Sequence, residues 1–117
     1  MFLALAHSNL DVFRVVKDLV KETYILTNRL PASEKYNMVQ QIRRAVISVL
    51  LNLAEGCSRK SISERNRFFE ISRGSMVEVD SVFEMAVHLD YLKETEISAA
   101  GDLLIRSFQM ISKMIKK

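Results

Sequence analysis

Residues 41–56 read QIRRAVISVLLNLAEG, and this stretch decides the fold class. The segment from Ala45 to Leu51 within it is apolar almost all round, interrupted only by Ser48. This pattern predicts a helix over about 37–55, with Gly56 as the residue that closes it. A helix that is apolar on every side is normally buried on every side. We therefore expect more cover for this helix than a solitary bundle provides.

Three further helices are predicted around this segment. The first spans about 8–28, with Ser8 or Asn9 as its N-cap, and stops before Pro31. The third spans 62–92 and opens with the capping-box spacing of Ser61 and Glu64, and the fourth spans 96–116 with Thr95 as N-cap. Short connections make neighbouring helices antiparallel. The prediction is an all-α, antiparallel up-down-up-down four-helix bundle that forms a single domain over 1–117.

Composition argues against several classes of function. The 117 residues are 49% hydrophobic and 26% charged, which is typical of a globular domain with one core. Cys57 lies beside Arg59 and Lys60, which could lower its pKa, but no His is near it in sequence. Metal-binding His pairs, a Gly-rich phosphate loop and a membrane-spanning apolar run of roughly 20 residues are not found either. We expect a cytoplasmic protein that is not an enzyme, with no catalytic residue, cofactor, metal, small-molecule substrate or membrane partner.

Charge is distributed unevenly along the chain. The formal net charge is +3, but residues 29–73 carry nine basic and four acidic side chains, whereas residues 74–117 carry five and seven. A basic segment can bind phosphate, although the charges can also serve only to solvate helix surfaces. The candidate nucleic-acid-binding residues are those near the connection between the second and third helices: Arg43, Arg59, Lys60, Arg65 and Arg67.

A polar stripe crosses the otherwise apolar second helix, with members three or four residues apart. Polar groups buried between helices cost about 1–3 kcal/mol each unless they are hydrogen-bonded. We therefore predict a structural polar network made of Gln41, Arg44, Ser48, Asn52, Glu55, Arg73, Ser75 and Glu78. A ligand-facing groove is the alternative interpretation. The apolar residues Val49, Leu50 and Leu51 are predicted to form an interface between copies of the chain.

Several runs of residues resemble a known bacterial family. They are QIRRAVIS over 41–48, NLAEG over 52–56, RKS over 59–61 and RFFEISRGS over 67–75. Together they resemble the four helix bundle proteins, also called 23S ribosomal RNA intervening-sequence proteins. The chain departs from that pattern at Leu50 and Leu51, where the family often has Pro and Ser, and at Phe13, where it commonly has Trp. The signature positions that carry over are Arg43, Arg44, Asn52, Glu55, Gly56, Arg59 and Arg73.

The resemblance implies a helical bundle that assembles into a homopentameric ring. Some family members are encoded inside ribosomal RNA insertions, and a related accessory protein assists a reverse transcriptase through a basic surface. We therefore expect a non-enzymatic homo-oligomer, most simply a homopentamer, that binds RNA or structured nucleic acid. The alternative is a protein-interaction scaffold with no direct nucleic-acid contact.

Overall fold

The computed structural model describes residues 2, 3, 5 and 10–117, and over these residues it contains four α-helices and no strand. The helices are α1 (Asp11–Thr27), α2 (Met38–Ser58), α3 (Ile62–His88) and α4 (Glu94–Met114), and a 3-10 turn spans Ala32–Glu34. The predicted all-α class is confirmed. The predicted start of the first helix, with its N-cap Ser8 or Asn9, lies outside the described residues.

Each helix packs chiefly against two others. The most extensive contact joins α2 and α3, and the other main contacts join α1 to α2, α1 to α4, and α3 to α4. The buried side chains of all four helices form one hydrophobic cluster, whose fully covered members include Val16, Leu19, Val46, Val79 and Ile111. These contacts are those of a four-helix bundle with a shared core. None of the described helices is both long and apolar enough to cross a bilayer.

Gly56 lies inside α2 and does not close it, so the predicted role of this residue was wrong. The helix continues to Ser58, and Gly56 is buried beneath the ring of Phe69. A Cβ atom at Gly56 would lie 2.6 Å from Phe69 Cε1 and 3.2 Å from Phe68 Cβ. The glycine therefore allows α2 and α3 to approach closely at this level.

The ends of α3 and α4 also differ from prediction. Asp90 adopts a left-handed backbone conformation, with φ of 62°, and α3 accordingly ends at His88 instead of residue 92. The helix α4 begins at Glu94, because the backbone N–H of Lys93 donates to Glu96 Oε1 at 2.9 Å and makes Lys93 the N-cap. The predicted N-cap Thr95 was therefore wrong by two residues.

The N-terminal cap of α3 agrees with the predicted capping box in one of its two halves. Ser61 Oγ accepts a hydrogen bond from the backbone N–H of Glu64 at 3.1 Å. The carboxylate of Glu64 lies 3.7 Å from the Arg59 guanidinium, and it makes no return bond to the Ser61 backbone. Ser61 thus caps the helix, while Glu64 pairs with a nearby cation.

Candidate nucleic-acid interface

Four of the five predicted nucleic-acid-binding residues lie together at one end of the bundle. Arg59 and Lys60 form the connection between α2 and α3, and Arg65 and Arg67 lie in the first turns of α3. Arg43 lies near the start of α2, about 24 Å from Arg59 along the helix axis at 1.5 Å per residue. Arg43 is therefore separate from the other four.

Arg43 joins the start of α2 to the end of α1. Its Nε donates to Thr27 Oγ1 at 2.9 Å, and its Nη2 donates to Asn28 Oδ1 at 3.0 Å. Its guanidinium also stacks on the Tyr24 ring, 4.6 Å from the centroid. These contacts hold the side chain in place, so Arg43 has a structural role in the packing of α1 against α2.

Arg59 is surrounded by negative charge. It pairs with Glu55, one turn earlier in α2, and with Glu64 at 3.7 Å, and it lies over the Phe68 ring. Exposed pairs of this kind add at most about 1 kcal/mol of stability. They do, however, cancel much of the positive potential that an approaching phosphate would encounter at Arg59.

Arg65 closes the C-terminal end of α2. Its Nη1 donates to the carbonyl oxygens of Cys57 at 3.0 Å and Arg59 at 3.1 Å, groups that the helix itself leaves unpaired. Its guanidinium lies 5.5 Å from the centroid of the Phe69 ring. Arg65 has no carboxylate partner among the described residues, so it presents a fixed positive charge at this end of the bundle.

Cys57 is not an activated thiol. Burial raises the pKa of the Cys57 thiol above its ordinary value of 9.0, and the nearby Arg65 charge opposes this effect only in part. The suggestion that Arg59 and Lys60 lower the pKa of this thiol was therefore wrong. A protonated, half-buried thiol is a poor nucleophile and a poor metal ligand.

Lys60 and Arg67 are the two predicted residues that remain available to a ligand. Both are exposed, and neither has a carboxylate partner within the described part of the chain. Arg67 lies 6.0 Å from the centroid of the Phe68 ring, and Lys60 makes no side-chain contact of this kind. These two residues point to where an anion can bind.

The structure adds the C-terminal lysines to this end of the bundle. Past the end of α4, the backbone N–H of Lys116 donates to Asn66 Oδ1 at 3.0 Å, and Asn66 Nδ2 donates to the Lys116 carbonyl oxygen. This paired contact holds Lys116 against the start of α3, with Lys113 and Lys117 close by in sequence. The sequence indicated these lysines only through their charge, since residues 106–117 contain four basic side chains and no acidic one.

A groove opens where these elements meet. Its volume is about 370 Å³, and its lining residues are Lys60, Ile62, Arg65, Asn66, Met114 and Lys116. The other ends of α3 and α4 carry the opposite charge, since residues 84–102 hold five acidic side chains and one basic side chain. We name the set Lys60, Arg65, Arg67, Lys113, Lys116 and Lys117 the basic end.

The predicted polar network forms in part, at the contact between α2 and α3. Ser75 Oγ donates to Ser48 Oγ at 2.8 Å, and Asn52 Nδ2 donates to both the Ser48 hydroxyl and its carbonyl oxygen. Ser72, on the same polar face of α3 as Ser75, donates to the Val49 carbonyl oxygen at 2.8 Å. This small cluster satisfies its own hydrogen bonds between the two helices.

The remaining predicted members are dispersed. Gln41 donates to Glu78 at 3.3 Å on the exposed side, and Glu55 pairs with Arg59. Arg73 pairs with Glu70 and stacks on the Phe108 ring of α4 at 4.9 Å. Arg44 lines a groove of about 360 Å³ between α1 and α2 together with Ser48 and Asn52. One continuous network is therefore not present.

The predicted interface residues do not share one surface. Val49 is fully covered in the core of its own bundle, which corrects its assignment to a contact between copies. Leu50 is half-buried, whereas Leu51 is 60% exposed. The apolar sides of α2 are thus covered in part by α1 and α3 of the same chain. Elsewhere, Val77 and Ile105 are more than half exposed beside an apolar groove of about 320 Å³ between α3 and α4.

Within residues 2, 3, 5 and 10–117, no three His, Cys, Asp or Glu side chains gather in a way that could hold a metal ion. These features define a class of protein: a small four-helix protein with a group of six basic side chains, none paired with a carboxylate of the described residues, at one end. The model of the 23S rRNA-intervening sequence protein family matches residues 8–117. The chain belongs to this family, as the sequence runs above predicted. None of the curated proteins matches it significantly.

Proposed function

We propose that this protein is a non-enzymatic helical bundle that binds RNA through its basic end. The observation that supports this proposal is the clustering of charges. Six cations without a carboxylate within 4.0 Å among the described residues belong to the basic end, whereas residues 84–102 at the other ends of α3 and α4 hold five acidic side chains and one basic side chain. Uncompensated cations gathered on one surface are the usual electrostatic footprint of phosphate binding.

The proposed architecture is a single domain with antiparallel up-down-up-down topology. Contacts between α2 and α3 support it, because Gln41 bonds to Glu78, Ser48 to Ser75, and the Cys57 carbonyl to Arg65. The residue number falls along α3 as it rises along α2. Arg29 at the end of α1 bonds to Glu96 near the start of α4, which supports the same arrangement for that pair.

Fluorescence anisotropy with a labelled RNA tests the RNA-binding role. Reversing two free cations, Lys60→Glu with Arg67→Glu, is expected to weaken binding at least tenfold and to flatten its salt dependence. Each lost phosphate contact reduces the logarithmic slope by about 0.7 for a single strand. The matched control is reversal of two cations at the opposite end, Lys35→Glu with Lys93→Glu, which changes the net charge equally. No RNA binding at low salt, or equal losses in both variants, contradicts the proposal.

The protein is proposed to act in the cytoplasm as a homo-oligomer, most simply the homopentamer that the family resemblance implied. The exposed apolar side chains of Val77 and Ile105, which lie together beside the apolar groove between α3 and α4, support self-association, because exposed apolar patches commonly mark interfaces. Light scattering is expected to give a mass of about 67 kDa, five times the 13.4 kDa of one chain. A mass of one chain at micromolar concentration contradicts this part of the proposal.

A protein-interaction scaffold is the second candidate function. The apolar groove between α3 and α4 favours it, since Met76, Leu104 and Phe108 line a concave surface without a cation. A partner protein recovered from nuclease-treated lysate, and lost on Val77→Asp with Ile105→Asp, is the result expected for this function. Recovery of RNA alone contradicts it.

A further inference from the structure

We infer that the groove at the basic end binds one unpaired nucleotide of an RNA strand, with its phosphate between Lys60, Arg65 and Lys116. This inference rests on the proposed function and names the part of the basic end where recognition occurs. A volume of about 370 Å³ lies at the low end of the roughly 300–1,000 Å³ of small-molecule sites. That size suits a single nucleotide, whereas a duplex is too wide to enter.

The charges around the groove favour an anion. Lys60, Arg65 and Lys116 line one concave surface, and no carboxylate of the described residues pairs with any of them. Like charges gathered in a groove repel one another, and low-dielectric walls strengthen their shared field. A phosphate in the groove relieves this repulsion. Arg65 cannot turn away from the groove to relieve it, because two backbone carbonyls hold its guanidinium.

Asn66 positions Lys116 at the groove. The helix α4 ends at Met114, so residue 116 is outside any helix of the described chain. The side-chain amide of Asn66 bonds to both the N–H and the carbonyl oxygen of Lys116, as a neighbouring strand would do. This contact fixes the backbone of Lys116, so that the C-terminal segment lines the same groove as Lys60.

Apolar groups in the same groove indicate a nucleotide in preference to a bare inorganic ion. Ile62, the first residue of α3, is 57% exposed, and Met114 lines the groove with it. These side chains offer a surface for the ribose and for one face of a base. Asn66 is oriented by its two bonds to the Lys116 backbone, and stacking on the apolar lining does not distinguish one base from another, because every base has a π-face. We therefore expect little base preference.

Nuclear magnetic resonance with mononucleotides tests the groove directly. Uridine 5′-monophosphate at millimolar concentration is expected to shift the backbone amides of Lys60, Asn66 and Lys116, and adenosine 5′-monophosphate is expected to do the same. Uridine without the phosphate is expected to leave them unshifted. Inorganic phosphate is expected to shift the same amides less. If neither uridine 5′-monophosphate nor adenosine 5′-monophosphate shifts these amides, the inference is overturned.

A pair of asparagine variants tests the positioning of Lys116 without a change of charge. Asn66→Ala is expected to weaken binding of a labelled 12-nucleotide RNA about fivefold and to reduce the salt slope by about 0.7, as for loss of one phosphate contact. Asn37→Ala, which removes a side-chain bond to Glu34 at the opposite end, is the control and is expected to bind as the wild type does. Circular dichroism confirms that both variants are folded.

The outcomes distinguish this inference from the proposed function. If the RNA binds but Asn66→Ala and Lys116→Gln bind it as tightly as the wild type, the groove is not the site and the RNA-binding role stands. If the 12-nucleotide RNA does not bind at low salt, the proposed function is contradicted, and the mononucleotide titration alone decides whether the groove holds phosphate.

Discussion

Two glycines of this chain are expected to respond to alanine in opposite directions. Alanine is more favourable than glycine in a helix interior by about 0.8–1.0 kcal/mol. At Gly74, which is exposed within α3, an added Cβ atom meets no atom of the described chain within 4 Å. Gly74→Ala is therefore expected to stabilise the bundle by about 1 kcal/mol.

At Gly56 the same methyl group would lie 2.6 and 2.8 Å from two carbon atoms of the Phe69 ring, which is itself fully buried. Overpacking of a core costs about 1–3 kcal/mol, and contacts this short belong at the upper end of that range. After the helix-propensity gain is subtracted, Gly56→Ala is expected to destabilise the bundle by roughly 2 kcal/mol. The two variants then differ by about 3 kcal/mol.

Thermal unfolding followed by circular dichroism measures this difference. At about 4 °C per kcal/mol, the midpoint is expected to fall by roughly 8 °C for Gly56→Ala and to rise by about 4 °C for Gly74→Ala. Protein concentration is kept equal, because assembly also shifts a midpoint. Equal midpoints for the two variants would refute the close packing of Phe69 on Gly56.

Three further predictions concern single groups. Thr23 Oγ1 is buried and has no hydrogen-bond partner among the residues that the structure describes, so Thr23→Val is expected to stabilise the protein by about 1 kcal/mol in urea unfolding; a loss of stability would show that the hydroxyl is needed. The backbone N–H of Lys93 is the main cause that lowers the pKa of Glu96 below its ordinary value of 4.5, with Arg29 adding to it. The stabilisation from Glu96 is therefore complete above pH 4.5 and is lost as the pH falls through the lower folded value, and Glu96→Gln is expected to remove this part of the pH dependence. Unchanged acid unfolding in that variant would contradict the assignment. Because burial raises its pKa, Cys57 is expected to react with iodoacetamide at pH 8 more slowly than a cysteine in a short peptide, and an equal or faster rate would contradict its burial.

Local features of the fold were predictable from the sequence. The Ser61 hydroxyl bonds to an amide three residues away, so its capping role follows from spacing alone. The role of Gly56 was not predictable in this way, because it depends on Phe69 of another helix. A glycine that follows a helical pattern predicts the end of the helix, and only the position of a neighbouring helix shows that the glycine is needed for close packing.

The candidate site shows the same division between local and distant contacts. Glu55 and Arg59 are one helical turn apart, so their ion pair is predictable from spacing. The distance between Arg43 and Arg59 is predictable too, because it follows from the rise per residue of a helix. By contrast, Asn66 and Lys116 are 50 residues apart, and no sequence pattern joins them. The groove therefore could be found only once the end of α4 was placed beside the start of α3.

Val49 illustrates why apolar character alone misplaced an interface. Its neighbours in α2 are apolar, and a helix of that kind needs cover on most sides. The packing of α1 and α3 covers Val49 completely, which leaves Leu51 as the exposed member of the predicted set. Periodicity identifies which residues are buried, but it does not say whether the cover comes from the same chain or from another.

The salt dependence of binding to single-stranded RNA tests the central claim most directly. Four or five of the basic-end cations contacting phosphates predict that the logarithm of the binding constant falls against the logarithm of salt concentration with a slope of about −3, at roughly −0.7 per contact. A slope of that size for the wild type is the result expected of RNA held by the basic end. A slope near zero, or no binding at the lowest salt concentration, would contradict it.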